Sequence, residues 1–156
     1  MRRRLYALLL VICFLATSFA TVQQAQATLG ESADSVTADQ KSLSAMKRAT
    51  TVRKGYTVHE ITSDSFTVRE YVAPSGIVFG IAWNGLVYPD LTPLLGSYFS
   101  EYQEARRHTS RKPGRRSLQV RTNRVIVEKW GHMRNLQGRA YAPALVPPGV
   151  GIDEIR

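Results

Sequence analysis

The chain has 156 residues, with 21 basic and 12 acidic side chains and a formal charge of +9. A single cysteine rules out an internal disulfide and a thiolate metal cluster, so stability must come from packing. The length suits one domain with a modest core, and the basic balance first suggests an anionic partner.

Residues 1–27 read as a cleavable signal peptide. Arg2, Arg3 and Arg4 make a positive start, residues 5–20 are an uncharged, mostly apolar run, and Ala25-Gln26-Ala27 is a small-x-small site with cleavage expected after Ala27. That run is shorter than the about 20 apolar residues a spanning helix needs. Cleavage by the general secretory route predicts a periplasmic or secreted protein of 129 residues and charge +6, without Cys13. Outside the cytoplasm nucleic acid is not an expected partner, whatever the charge. The membrane is met only through the signal peptide before cleavage.

Residues 28–50 form a polar N-terminal segment. Thr37, with Gln40 as its capping-box partner, predicts a short helix over 38–48. A single domain over 51–148 follows. Residues 51–61 and 66–73 are rich in Val, Thr, Tyr and Phe and are predicted strands, separated by turn chemistry at 62–65. Residues 77–83 are the most apolar strand and belong at the sheet centre. Asn84-Gly85 predicts a type I′ hairpin, with 86–88 returning.

Thr92 before Pro93 predicts a helix start, and Leu94, Leu95, Tyr98, Phe99 and Tyr102 give one apolar face over 93–107. Gly96 interrupts that helix and is expected to permit close approach to the sheet. Residues 108–117 are a basic loop. Residues 118–130 return to strand character with a turn or bulge at Thr122-Asn123, 131–138 break the pattern, and 139–146 are a last short strand. Residues 149–156 are a polar tail. The predicted class is α+β: an antiparallel β-meander with a helix packed on one face and further C-terminal strands.

The basicity is local. Residues 105–127 hold eight basic residues and no acid, while the rest of the mature chain is slightly acidic. Arg106, Arg107, Arg111, Lys112, Arg115 and Arg116 are the candidate anion- or partner-binding residues, because the planar arginine fork suits phosphate and carboxylate. An acidic envelope protein, an acidic glycan or a lipid headgroup are the partners they fit. The competing reading is a solvated loop.

No catalytic motif stands out, and neither a nucleophile elbow nor a phosphate loop is present. His59, His108 and His132 have no ligand spacing, so no metal or cofactor is expected. Glu60 and Glu70 lie on neighbouring predicted strands. They either form an acid–base pair with His59 and tyrosines or join ordinary cross-strand ion pairs with Arg69. Tyr56, Trp83 and Trp130 carry polar handles suited to a groove, although aromatics in strands more often build core.

Several strings combine into a resemblance. They are Leu29-Gly30, Tyr56-x-Val58-His59-Glu60, Val68-Arg69-Glu70-Tyr71-Val72 and Gly76-x-Val78-Phe79 leading to Trp83. Pro89-Asp90-Leu91, Leu94-Leu95-Gly96-x-Tyr98-Phe99, Gly131-His132-Met133-Arg134 and Gly138-Arg139-Ala140-Tyr141 complete the set. Across nearly the whole mature length the chain resembles a bacterial family of small exported proteins described as a domain of unknown function, family 2844. The resemblance implies a bacterial, extracytoplasmic protein and carries over no activity or site residue. The expected function is a non-enzymatic binding or accessory domain contacting an acidic envelope partner. A hydrolase or transferase with an unfamiliar site, or a structural subunit of an envelope assembly, are the alternatives.

Overall fold

The computed structural model describes residues 28–32, 47–110 and 116–156. The predicted signal peptide with Ala27, most of the predicted helix over 38–48, and Arg111, Lys112 and Arg115 lie outside them.

Among the described residues seven antiparallel strands form one sheet: β1 (Lys47–Arg53), β2 (Tyr56–Thr62), β3 (Phe66–Val72), β4 (Val78–Gly85), β5 (Leu118–Arg121), β6 (Ile126–His132) and β7 (Asn135–Tyr141). Their spatial order is β1-β2-β3-β4-β7-β6-β5. The first four strands are a meander. The chain then crosses one face through α1 (Leu91–Leu95), a 3-10 turn (Gly96–Tyr98) and α2 (Phe99–His108). It enters again at the far edge as β5 and works back to the centre, where β7 pairs with β4. The class is α+β, as the sequence predicts, and β4 is central and buried for six of its eight residues.

Several local expectations are corrected. Residues 51–61 are two strands, because Lys54-Gly55 makes a tight turn with Gly55 at φ 90° and the chain folds back on itself. Lys47 and Arg48, assigned to a helix, already belong to β1, whose Thr50, Thr51 and Val52 favour an extended chain. Asn84-Gly85 is not a hairpin: both residues continue β4 and pair with Thr67 and Phe66. A Cβ on Gly85 would lie 2.4 Å from the Ser65 carbonyl oxygen, so the glycine serves close strand approach there. Residues 86–88 are therefore not a strand.

The pattern does not break after Trp130 either. β6 and β7 run on to a tight turn at Met133-Arg134, with Arg134 at φ 66°. Residues 143–145 form a 3-10 turn where a strand end was expected. The helix begins two residues earlier than Thr92-Pro93 suggests, because the Asp90 carboxylate accepts from the Thr92 N–H at 2.9 Å. Gly96, at φ 47°, ends α1. What approaches it is Thr28 rather than the sheet: a Cβ there would fall 2.0 Å from the Thr28 methyl carbon.

Strand alternation divides the buried residues into two cores. On the helix face, Val68, Val72, Ile81, Trp83, Val120, Val127 and Ala140 pack under Leu91, Leu94, Leu95 and Tyr102, with Leu29 inserted beside them. Leu29 is held by its N–H to the Leu94 carbonyl. On the other face Tyr56, Tyr71, Phe79, Ala82, Ile126 and Tyr141 surround Ile155. Phe79 reaches that face because the β3–β4 register slips between Tyr71 and Val72, leaving one extra residue on β4. The tail predicted to be merely polar is thus docked, and Ile155 is fully buried.

Candidate functional site

The tail face is organised by a cross-strand row of charges. Register aligns Glu60, Arg69, Ala82, Arg139, Glu128 and Gln119 on β2, β3, β4, β7, β6 and β5. Arg69 Nε donates to Glu60 at 2.7 Å, and Arg139 Nε donates to Glu128 at 2.6 Å. Gln119 adds a donor to the same Glu128 at 2.6 Å. Ala82 in the middle leaves the row open, and neighbouring Gly80 removes the side chain that would strike Ile155.

Into that gap the tail lays its main chain. Arg139 Nη1 donates to the Ile152 oxygen at 2.9 Å. The Tyr71 hydroxyl donates to the Arg156 main-chain oxygen at 2.7 Å and accepts the Arg156 N–H at 2.9 Å. The Tyr56 hydroxyl donates to Glu154 Oε2 at 2.7 Å, while Glu154 Oε1 accepts the Gly151 N–H at 3.0 Å. Burial, then the hydrogen bond to Glu154 and its charge, push the Tyr56 phenol up to about 12. The Tyr56 hydrogen bond and then the Gly151 N–H hold the Glu154 carboxyl below its ordinary value. Burial also raises Tyr71.

Between β1 and the tail this face leaves a groove of about 350 Å³. Ala49, Thr51 and Val58 are its short side chains, Tyr56 and Tyr71 its rings, and Arg53, Arg69, Arg156, Glu60 and Glu154 its charges. Of the three aromatics considered for a groove, Tyr56 lines one. Trp83 is buried under the helix, and Trp130 is half-buried on β6 with Arg139 5.9 Å over its ring.

The basic run lies at the other end of the sheet. Arg106 and Arg107 are exposed on the last turn of α2, and Arg116 is exposed just before β5. Arg107 pairs loosely with Glu104 at 3.6 Å, and His108 shares that carboxylate at 2.9 Å. Arg124 turns back to Glu101 at 2.8 Å and covers the Tyr98 ring at 5.0 Å.

The acid–base alternative does not assemble. Glu60 stands opposite Arg69 and Glu70 opposite His59, so the two glutamates face opposite sides of the sheet. Glu70 is fully buried on the helix face. His59 shares that face, with its Nδ1 3.1 Å from the Thr50 hydroxyl. Among the described residues no group of three or more His, Cys, Asp or Glu is placed to hold a metal ion.

Sequence reasoning missed Arg53, Arg156 and Glu154, because their meeting depends on where the tail docks. The one available signal was Val150, Ile152 and Ile155, three apolar residues in an otherwise polar tail.

No curated protein and no solved structure matches the chain. A family model does, over residues 25–155, a span that takes in both cores, the tail up to Ile155 and the basic run. The chain therefore belongs to the family described as "Protein of unknown function (DUF2844)".

Proposed function

We propose that this protein is an exported, non-enzymatic binding domain of the bacterial envelope, which engages an acidic partner through its basic run. The observation that carries the reading is the exposure of Arg106, Arg107 and Arg116 at the α2–β5 end, where Glu104 is the acid paired with that helix turn. Arginine forks in this setting suit carboxylate or phosphate groups on a protein, a glycan or a lipid headgroup. The signal-peptide pattern of residues 1–27 supports an extracytoplasmic location. The opposed glutamates weigh against the hydrolase alternative.

The test is recovery of partners from envelope extract with the purified protein at low and high salt, beside a variant with Arg111, Lys112, Arg115 and Arg116 replaced by Ser. Retention that falls with salt and with the substitutions supports the reading. Retention indifferent to both overturns the basic-run assignment, and fractionation that finds the protein in the cytoplasm overturns the location.

A further inference from the structure

We propose that the groove between β1 and the tail is a second binding site, and that its ligand is a short acidic peptide segment. Four arginines of the described structure are committed to carboxylates: Arg69, Arg107, Arg124 and Arg139. Arg53 and Arg156 are not. Both line the groove, both are exposed, and neither guanidinium has a hydrogen bond or ion pair among the described residues.

The two acids of the groove offset them only in part: the Arg53 charge acts on Glu154 and helps to hold its carboxyl low, without an ion-pair contact. Glu60 is bound to Arg69, and Glu154 accepts from Tyr56 and the Gly151 N–H. With Arg69 included, the lining carries three positive and two negative side chains. The excess charge sits on the two side chains free to turn toward a ligand. Each has a planar fork able to grip a carboxylate with two parallel hydrogen bonds.

The rest of the lining selects a peptide over a bare anion. Ala49 and Val58 are small apolar side chains, and the Tyr56 and Tyr71 rings add flat apolar surface. The methylenes of an aspartate or glutamate side chain have something to rest on there, whereas inorganic phosphate uses none of it. The volume lies at the lower end of the range of ligand pockets, which fits a short segment. β1 is the outermost strand of the sheet among the described residues, so an extended segment enters from the side without parting any strand pair.

This site is independent of the basic run. β1 and β5 are opposite edges of a seven-stranded sheet, about 30 Å apart at the usual strand spacing. Failure of one leaves the other standing.

The experiment is calorimetric titration of the purified protein with a blocked Asp-Glu-Asp tripeptide, its Asn-Gln-Asn counterpart and inorganic phosphate. Arg53→Gln, Arg156→Gln and the triple variant Arg106→Gln, Arg107→Gln, Arg116→Gln are measured alongside. All these side chains are exposed, and circular dichroism confirms that each variant keeps its fold. The acidic peptide is expected to bind saturably, about tenfold more weakly to either groove variant and unchanged to the triple variant. The amide peptide and phosphate are expected to bind at least tenfold more weakly than the acidic one. Absence of saturable binding overturns the site, as does binding indifferent to Arg53→Gln and Arg156→Gln. Phosphate binding as tightly as the acidic peptide overturns the ligand class.

Discussion

The two faces of this one sheet are closed by different physics. On the helix face the seal is almost wholly apolar: an amphipathic α1–α2 segment lays Leu91, Leu94, Leu95 and Tyr102 across Val68, Ile81, Trp83 and Val127. On the tail face a short length of chain with no regular partner is held by one buried isoleucine and a set of arginine and tyrosine hydrogen bonds to its main chain. An apolar stripe spreads its contribution over many side chains and roughly in proportion to area. A strap held at a few polar points concentrates its contribution in single residues, and its tyrosine and glutamate contacts depend on pH.

The largest expected effect breaks the helix face. Trp83 is 2% exposed, and its ring lies directly over Gly138, where a Cβ would come within 2.3 Å of the indole. Trp83→Ala should cost about 3–5 kcal/mol. Thermal denaturation should then show the whole molecule melting earlier, with no separate transition for the tail. Next is Ile155→Ala on the other face, at about 2–4 kcal/mol, since a fully buried aliphatic side chain leaves a cavity over Gly80. Here the loss should be local. Hydrogen exchange should accelerate at the amides of residues 154 and 155, which bond within the tail, while β4 amides stay protected. Uniform acceleration across β4 would show that the tail is part of the global core and not a strap.

The charge row sharpens the same contrast within the tail face. The Arg139–Glu128 side chains are 19% and 18% exposed, against 31% and 37% for Arg69–Glu60. Arg139→Met should therefore cost about 1.5–3 kcal/mol, through loss of charged hydrogen bonds to Glu128 and to the Ile152 oxygen. Arg69→Met should cost about 1 kcal/mol or less, as a wetter pair contributes little. Chemical denaturation of the two variants checks the order, and equal losses would contradict the assignment of the tail anchor to Arg139.

Much of the helix face was legible because burial there follows a period. Leu94, Leu95, Tyr98 and Tyr102 recur at helical spacing, and the apolar run through Val78 and Trp83 marks a strand covered on both sides. The errors fall where local chemistry and tertiary contact disagree. Asn84-Gly85 has the composition of a hairpin, but Phe66 needs that glycine as a flat neighbour, so pairing overrides turn preference. Lys54-Gly55 and Met133-Arg134 lack the usual asparagine or aspartate signal, and the strands they join set the turns. The groove was hidden for a further reason. Arg53 and Arg156 are about one hundred residues apart, and only the docking of Ile155 brings them to one surface. The Glu60–Arg69 pair was legible as one of two options, and strand register decided between them.

The smallest expected effect is titration of the tail. The Tyr56 phenol in the folded protein sits at about 12, above its ordinary value of 10.0, mainly through burial and then through its bond to Glu154. A group raised in this way stabilises the fold fully below pH 10.0 and loses that contribution as pH climbs toward about 12. Glu154 is shifted in the opposite sense, below its ordinary 4.5, by the Tyr56 hydroxyl and then the Gly151 N–H. Its contribution is present above pH 4.5 and fades as pH falls through the lower folded value. The strap should thus hold best between these limits and loosen at both ends, whereas on the helix face the shifted group is the Tyr102 phenol, raised by burial, which limits that seal at the alkaline end alone. Glu154→Gln keeps an acceptor for Tyr56 but removes the charge, so it should flatten the acid limb of the melting temperature against pH. It should also lower the Tyr56 titration toward 10.0, because the carboxylate no longer opposes formation of the phenolate, though burial keeps part of the shift. Melting temperatures of wild type and Glu154→Gln that trace the same curve from pH 3 to pH 5 would show that the Glu154 carboxylate does not tether the tail, and would leave Ile155, Arg139 and Tyr71 as its anchors.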